Sequence, residues 1–286
     1  MAKPFKKIAE LDPNTLMIVD SLNLGFRWKH SGAVEFTQEY IKTVESLRTS
    51  YKAKYVVIAC DSGSSAYRKA LFPEYKGNRE ELKANQTPEE ELAFKIFFEE
   101  FNRTIETYTE VFDYPVFRFH KTEADDIAAY IVKIRHKFPV IKQIVLISSD
   151  RDWDLLIDLD VMRFSYVTRK ETTLDNWNEH YECEPEHYIS VKCLQGDSGD
   201  NIPGVSKIGP KTATKLVKQY GSTYDIIANM PIPGKYVYIN NLNAFGKEAL
   251  ERNYKLMDLL EFCDEAIGTD NCILIEETMK EYIENA

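Results

Sequence analysis

Three short apolar, β-branched runs end on, or just before, an aspartate: Leu16–Asp20, Tyr55–Asp61, and Ile144–Ser149 followed by Asp150. Runs of this kind read as strands buried on both faces. A fourth run, Val161–Val167, alternates more loosely, and Val116–Phe119 is strand-like. Between them, apolar residues recur at helical spacing: Tyr40, Ile41, Val44, Leu47 and Tyr51 within Thr37–Tyr51, then Ile127, Ile131 and Ile134 within Ile127–His136. Thr122, three residues before Asp125, resembles a capping-box start for the second helix. Strands alternating with helices predict an α/β fold with a mostly parallel sheet flanked by helices. Ligands of such sheets lie beyond the carboxyl ends of the strands. Asp20, Asp61 and Asp150 are therefore predicted on one rim.

Six further acids fall where helices or loops begin: Glu123, Asp125 and Asp126 in TEADD, Asp152 in SDRD, and Asp197 and Asp200 in GDSGDN. Each group taken singly has a plain structural reading. TEADD suits an acidic first helical turn, SDRD a capping turn, and GDSGDN a loop. Together they are more informative. A Mg²⁺ ion usually takes one or two carboxylates and keeps several waters, so nine converging acids suit two or more ions. Paired metals serve in-line displacement at phosphorus. The acids point to phosphodiester hydrolysis.

Two basic segments fit that chemistry. Arg68 is followed by Pro73-Glu-Tyr75-Lys76-Gly-Asn-Arg79. Lys76 and Arg79 could stabilise charge on a phosphate, and Tyr75 could stack on a base or sugar. This cluster lies in a polar insertion, Pro73–Arg103, with a helical run over Glu89–Arg103. Later, Pro185–Leu194 looks helical, and Gly204, Gly209 and Pro210 form a tight turn before a basic amphipathic helix. Backbone N–H groups at such a turn approach phosphate, with Lys207, Lys211 and Lys215 nearby. Trp153 and Trp177 are assigned to the core.

The net charge of −10 does not exclude a nucleic-acid partner. From Lys247 onward the chain carries 11 acidic and 4 basic residues. Outside that tail and the nine clustered acids, 26 acidic residues face 32 basic ones. Phosphate contact depends on local patches, not on whole-chain charge. The tail itself reads equally as a packed helix or a partner-binding segment. The first fifteen residues lack the apolar stretch of a signal peptide, and no apolar run reaches membrane-spanning length. Five cysteines without CxxC spacing suit reduced thiols in a cytoplasmic protein.

Six ordered stretches, MIVDSLN, ACDSGSSAYR, PEYKGNR, TEADDIAAYIV, SSDRDWDLL and GDSGDNIPGVSKIGPKTA, resemble the structure-specific 5′ nucleases, in particular the phage flap endonucleases (5′-to-3′ exonucleases) of the T-five type. The resemblance spans about Leu16 to Leu259. It implies a PIN-like nuclease domain over residues 1–182 with a helical arch at about 68–115. It also implies a helical C-terminal domain over 183–286, with a helix–three-turn–helix element at about 185–222. In the family pattern, Glu123, Asp125, Asp126 and Asp150 form the tighter metal site, with Asp20 and Asp61 in support. Asp152, Asp197 and Asp200 hold a second ion. Lys76 and Arg79 are electrophilic catalysts beside Asp125 and Asp150, and Arg68, Tyr75, Lys207, Lys211, Thr212 and Lys215 contact DNA. Backbone carbonyls of Val205 and Ile208 hold K⁺. The implied cofactors are two Mg²⁺, replaceable by Mn²⁺.

The implied activity is cleavage of DNA with a free 5′ single-stranded arm (flap, pseudo-Y or 5′ overhang) by a monomer, in primer and flap removal during phage or bacterial replication. The alternatives are a PIN-type ribonuclease and a non-catalytic junction binder. Three residues depart from the family pattern: Ser21 and Lys207 stand where glycine is usual, and Tyr67 where phenylalanine is usual.

Overall fold

A computed structural model describes residues 11–286. The first ten residues, including most of the stretch read as lacking a signal peptide, lie outside the described residues. Six strands form one sheet in the order β3-β2-β1-β4-β5-β6. They are β1 (Thr15–Asp20), β2 (Ala53–Ala59), β3 (Val116–Phe117), β4 (Gln143–Ile147), β5 (Val161–Ser165) and β6 (Lys170–Thr172). The first five are mutually parallel, and β6 runs antiparallel to β5. The chain steps from β1 outward to β2 and β3, then returns to β4 on the other side of β1. The order therefore reverses between β1 and β4, which in such sheets opens a crevice at the carboxyl ends.

All six residues of β1 are buried, as a central strand covered on both faces requires. The run ending at Val167 is shorter than its sequence suggests. Beyond Ser165 the chain turns, and the three-residue β6 pairs back on β5. That strand has too few residues to show an alternation. Arg163 can lie inside β5 because Asp154 takes its guanidinium at 2.5 and 2.8 Å.

The helices in chain order are α1 (Ser21–Ser31), α2 (Thr37–Ser50), α3 (Ala66–Leu71), α4 (Gly77–Ala84), α5 (Pro88–Thr107), α6 (Ala124–Lys133), α7 (Tyr188–Gln195), α8 (Pro210–Tyr220), α9 (Thr223–Asn229), α10 (Val237–Phe245), α11 (Lys247–Met257), α12 (Leu259–Ile267) and α13 (Thr269–Asn285). None among the described residues is long and apolar enough to cross a membrane. The long helix of the insertion is longer at both ends than the Glu89–Arg103 run, because Thr87 and Glu90 form a capping box and Pro88 occupies the first turn. At α6 the expected box does not form. The Thr122 carbonyl accepts from Ser62 N–H, and Glu123 stands at the N-cap with no side-chain capping bond.

Two compact units result, neither continuous in sequence. The first contains residues up to Ser65, Gln86–Leu174 and Cys263–Ala286; the second contains Ala66–Asn85 and Asp175–Phe262. The first unit holds the sheet, and its core joins β1, β2, β4 and β5 to α2 and the inner half of α5 through Met17, Val56, Val145, Phe164, Tyr40, Val44 and Phe101. The acidic tail belongs partly to this unit as a packed helix. Cys272, Ile275 and Met279 of α13 are buried, and Tyr282 accepts from the Val56 amide at 3.1 Å. Glu276 accepts from Tyr130 and Lys137. The second unit is helical, with a small core of Tyr75, Cys193, Ile202, Leu256 and Met257. The described cysteines are all buried.

Candidate active site

β1 ends on Asp20, which also caps α1: its carboxylate accepts from Asn23 N–H at 3.2 Å. Ser148, at the end of the neighbouring β4, donates to the same carboxylate at 2.6 Å. Asp20 is buried, and burial raises its carboxyl well above the ordinary range; the neighbouring Asp61 and Asp150 push it further up. The three acids thus lie at the carboxyl ends of adjacent parallel strands, with Asp20 between the other two. Ser21, in the place of the usual glycine, is fully buried and donates to Cys60 Sγ at 3.1 Å.

The other acids of the first unit are held from the loops around this rim. Asp61 lies two residues past β2 and accepts from Ala124 N–H at 3.0 Å, tying its loop to the start of α6. Glu123 is buried and accepts from Ser65 N–H at 3.0 Å. Asp125 accepts from the Trp153 indole at 2.6 Å. Asp126, on the first turn of α6, is buried. Asp150 caps the short helical turn Arg151–Leu156 by accepting from Asp152 N–H at 2.9 Å. Trp153 is the core residue predicted, and it also orients a predicted ligand. Among the described residues, no three His, Cys, Asp or Glu side chains are arranged to hold a metal ion. The donor set is all oxygen, which suits a hard divalent cation. The repulsion on Asp20 is the kind of strain that a cation would relieve.

Asp197 and Asp200 lie in the second unit. Asp197 turns inward on its own loop, accepting from Gly199 and Asp200 N–H at 2.8 and 3.2 Å, with Lys192 3.6 Å away. Asp200 is gripped by the segment predicted to be catalytic. Tyr75 donates to it at 3.0 Å, Arg79 pairs with it at 2.7 Å, and Lys76 Nζ lies 3.8 Å from it. Lys76 N–H also donates to the Asp200 carbonyl at 2.9 Å, and Asn78 donates to the Ser198 carbonyl at 3.0 Å. Lys76 adopts φ 54°, a left-handed conformation costly for a non-glycine residue.

Two residues expected at the substrate surface are instead interior. Tyr75 is 1% exposed and Arg68 3%. The Tyr75 ring fills the small core of the second unit, and Arg68 Nε donates to the Leu256 carbonyl at 2.8 Å. Tyr75 thereby anchors the start of the Lys76–Arg79 turn, and the Arg68 guanidinium lies 5.9 Å from its ring centroid. Tyr67 stacks on Phe262, with ring centroids 6.2 Å apart.

The hairpin before α8 is built on close backbone approach. A Cβ on Gly204 would lie 1.8 Å from the Gln195 carbonyl oxygen, and one on Gly196 2.3 Å from Gly204 N. Gly209 needs neither freedom nor space, since it is extended at the α8 N-cap with nothing near its missing Cβ. Lys207, in the place of a usual glycine, does take the left-handed conformation, with φ 67°. Lys207, Lys211 and Lys215 are exposed and Thr212 half-buried, while Ala213, Leu216 and Val217 cover the opposite face of α8. The side chains of Val205 and Ile208 are buried, and the Val205 carbonyl accepts from Ile208 N–H.

Ser148, Asn23 and Ser65 were not singled out in the sequence. Only the SSD at the end of β4, and an asparagine three residues after Asp20, could have suggested the first two.

Residues 15–182 match the family described as 5′-3′ exonuclease, N-terminal resolvase-like domain. Residues 183–279 match 5′-3′ exonuclease, C-terminal SAM fold. The flap endonuclease of Escherichia phage T5 is 42% identical over 274 residues, covering 95% of this chain and 92% of that protein. The DNA polymerase I of Lactococcus lactis subsp. cremoris is 26% identical over 94% of this chain, which spans 31% of that polymerase. A solved complex of the bacteriophage T5 D15 flap endonuclease with DNA and metal ions superposes with a TM-score of 0.86 at 40% identity, covering 94% of this chain and 98% of that one. The chain belongs to the 5′-3′ exonuclease family and is a nuclease of the flap-endonuclease kind.

Proposed function

We propose that this nuclease hydrolyses DNA phosphodiester bonds at 5′ flaps, pseudo-Y junctions and 5′ overhangs, and also degrades DNA from 5′ ends, leaving 5′-phosphate and 3′-hydroxyl products. The observation that carries the reading is that β1, β2 and β4 are parallel neighbours in the sheet and deliver Asp20, Asp61 and Asp150 to one carboxyl rim, with Asp20 buried there. Such a site favours bound divalent cations.

Glu123, Asp125, Asp126 and Asp150 would have to draw closer together to hold one Mg²⁺, with Asp20 and Asp61 supporting it. Asp152, Asp197 and Asp200 would serve a second, and Mn²⁺ would substitute. Bound divalent cations supply Lewis acidity and orient water at phosphorus. Trp153 fixes Asp125, and Ser148 fixes Asp20. Lys76 and Arg79, held on the clamped turn, stabilise charge developing on the phosphate. Lys207, Lys211, Thr212 and Lys215 receive duplex phosphates without reading sequence. The carbonyls of Val205 and Ile208 offer oxygen ligands for K⁺. The enzyme acts as a monomer on replicating DNA, in the host cytoplasm if phage-encoded.

A 5′-labelled flap duplex, incubated with Mg²⁺ or with EDTA, tests this alongside a matched RNA hairpin. Cleavage of the flap in Mg²⁺ alone, with the hairpin intact, supports the reading. Cleavage in EDTA, or of the hairpin in preference, contradicts it.

A further inference from the structure

Arg163 lies in the middle of β5, where every residue is buried. A charge in such a place is tolerated only when it is paired and hydrogen-bonded, and all three guanidinium nitrogens donate. Nε and Nη2 reach the two oxygens of the buried Asp154 carboxylate at 2.5 and 2.8 Å. Nη1 donates to the Ser148 carbonyl at 3.0 Å, and Nη2 also reaches the Thr172 hydroxyl on β6 at 3.3 Å.

Stability does not account for this pair, because well-packed apolar residues of similar volume often serve a fold as well as a buried ion pair or better. What apolar residues cannot supply is direction. A planar guanidinium fork sets a carboxylate and a carbonyl at fixed angles to each other. The groups it sets here stand directly behind the acid rim. The Ser148 hydroxyl donates to Asp20 at 2.6 Å and accepts from Asp150 N–H at 3.0 Å. Asp154 belongs to the turn Arg151–Leu156, which Asp150 caps and which carries Asp152 and Trp153. Trp153 in turn holds Asp125 at 2.6 Å. Asp20, Asp125, Asp150 and Asp152 are thus all held from segments that Arg163 ties together.

We propose that Arg163 is a positioning residue for the metal site. By clamping the Asp154 turn to the end of β4, it limits how far these acids can separate, so that a cation draws them together at less cost. The inference rests on the proposed metal site, and the clamp acts on that site through Ser148 and Asp154.

Removing Arg163 alone would strand Asp154 as a buried, unpaired acid, so the test replaces the pair, Arg163→Met together with Asp154→Leu. Arg163→Lys is the second variant, since it keeps the charge and loses the fork. Calorimetry measures Mn²⁺ binding without DNA, and thermal melts are run in EDTA. The double variant is expected to raise the Mn²⁺ dissociation constant by roughly 10–100-fold, the range for losing an outer-shell partner, while melting at or above the wild-type temperature. Arg163→Lys should lie between the two. The Mg²⁺ concentration that gives half-maximal single-turnover cleavage should rise in parallel. Mn²⁺ affinity within about twofold of wild type in both variants would overturn the proposal and leave Arg163 an ordinary buried ion pair. If the double variant melts well below wild type, Arg163→Lys decides: weaker Mn²⁺ binding at an unchanged melt supports the clamp, and unchanged binding overturns it. A wild type that binds no Mn²⁺ would instead overturn the metal reading, and the proposal with it.

Discussion

Asp20 and Asp200 are both predicted ligands, yet their surroundings are opposite. Asp20 is buried at the end of a central strand, bonded by a serine hydroxyl and a backbone amide, and pushed by two further acids. Asp200 is bonded by a tyrosine hydroxyl and held beside two cationic side chains, Arg79 and Lys76. The first region stores repulsion, and the second region neutralises its own charge. The sheet places acids where its topology demands, whatever that costs in the free protein. The helical unit places its acid by pairing it, and the same pairing fixes the two cations proposed to act on the phosphate. Replacing an acid should therefore stabilise the fold in one region and weaken it in the other.

The largest expected effect lies at the clamped turn. Lys76→Ala should slow single-turnover cleavage of a flap by about 10²–10³-fold, the range for losing one preorganised electrostatic group. Affinity for the DNA should change far less. A large loss of affinity at unchanged rate would make Lys76 a phosphate anchor and erase its distinction from the hairpin lysines.

Thermal melts without metal break or sharpen the comparison itself. Because the folded Asp20 carboxyl titrates above its unfolded reference near 4, the folded state holds the extra proton at low pH. Stability associated with Asp20 is complete below that reference and is lost as pH rises through the folded value. At pH 8 in EDTA, Asp20→Asn should then melt about 2–4 °C above wild type, the shift that 1 kcal/mol produces in a chain of this size. At pH 4 the two should melt together, and Mg²⁺ should narrow the gap at pH 8. Asp200→Asn should move the other way by about 0.5–1 kcal/mol, as expected for partly exposed ion pairs. If both variants melt higher, or both lower, the two regions do not differ as argued.

The smallest effect is expected on the exposed face of α8. Lys211→Ala should weaken duplex binding uniformly across sequences and reduce the salt slope by about one unit. An unchanged slope would remove Lys211 from the phosphate contacts.

How much of this was legible in the sequence also differs between the regions. The strands that carry Asp20, Asp61 and Asp150 announce themselves by apolar runs, because a strand buried on both faces has no polar residue to blur the pattern. The rim was thus readable from one dimension. β6 was not, since three residues show no period. The capping box at Thr122 misled because the sequence does not show that its carbonyl is already committed to Ser62. Tyr75 was expected to stack on a base or sugar, and Arg68 to contact DNA as the family pattern implies, whereas their burial depends on contacts with residues more than a hundred positions away. Glu100 was invisible for the same reason: nothing in a helical run says that one of its acids accepts from the Phe36 and Thr37 amides at the start of α2.

The central claim is that the acids at the carboxyl rim of the sheet hold the cations that make this fold a nuclease. Asp150→Asn tests it most directly, with single-turnover cleavage of a 5′ flap measured in Mg²⁺ and affinity for the same flap measured in Ca²⁺. The account predicts a rate lower by at least about 10²-fold, as for loss of a preorganised electrostatic group, with affinity within about twofold of wild type. A variant that cleaves at the wild-type rate, or one that fails only because it no longer binds DNA, would contradict the claim.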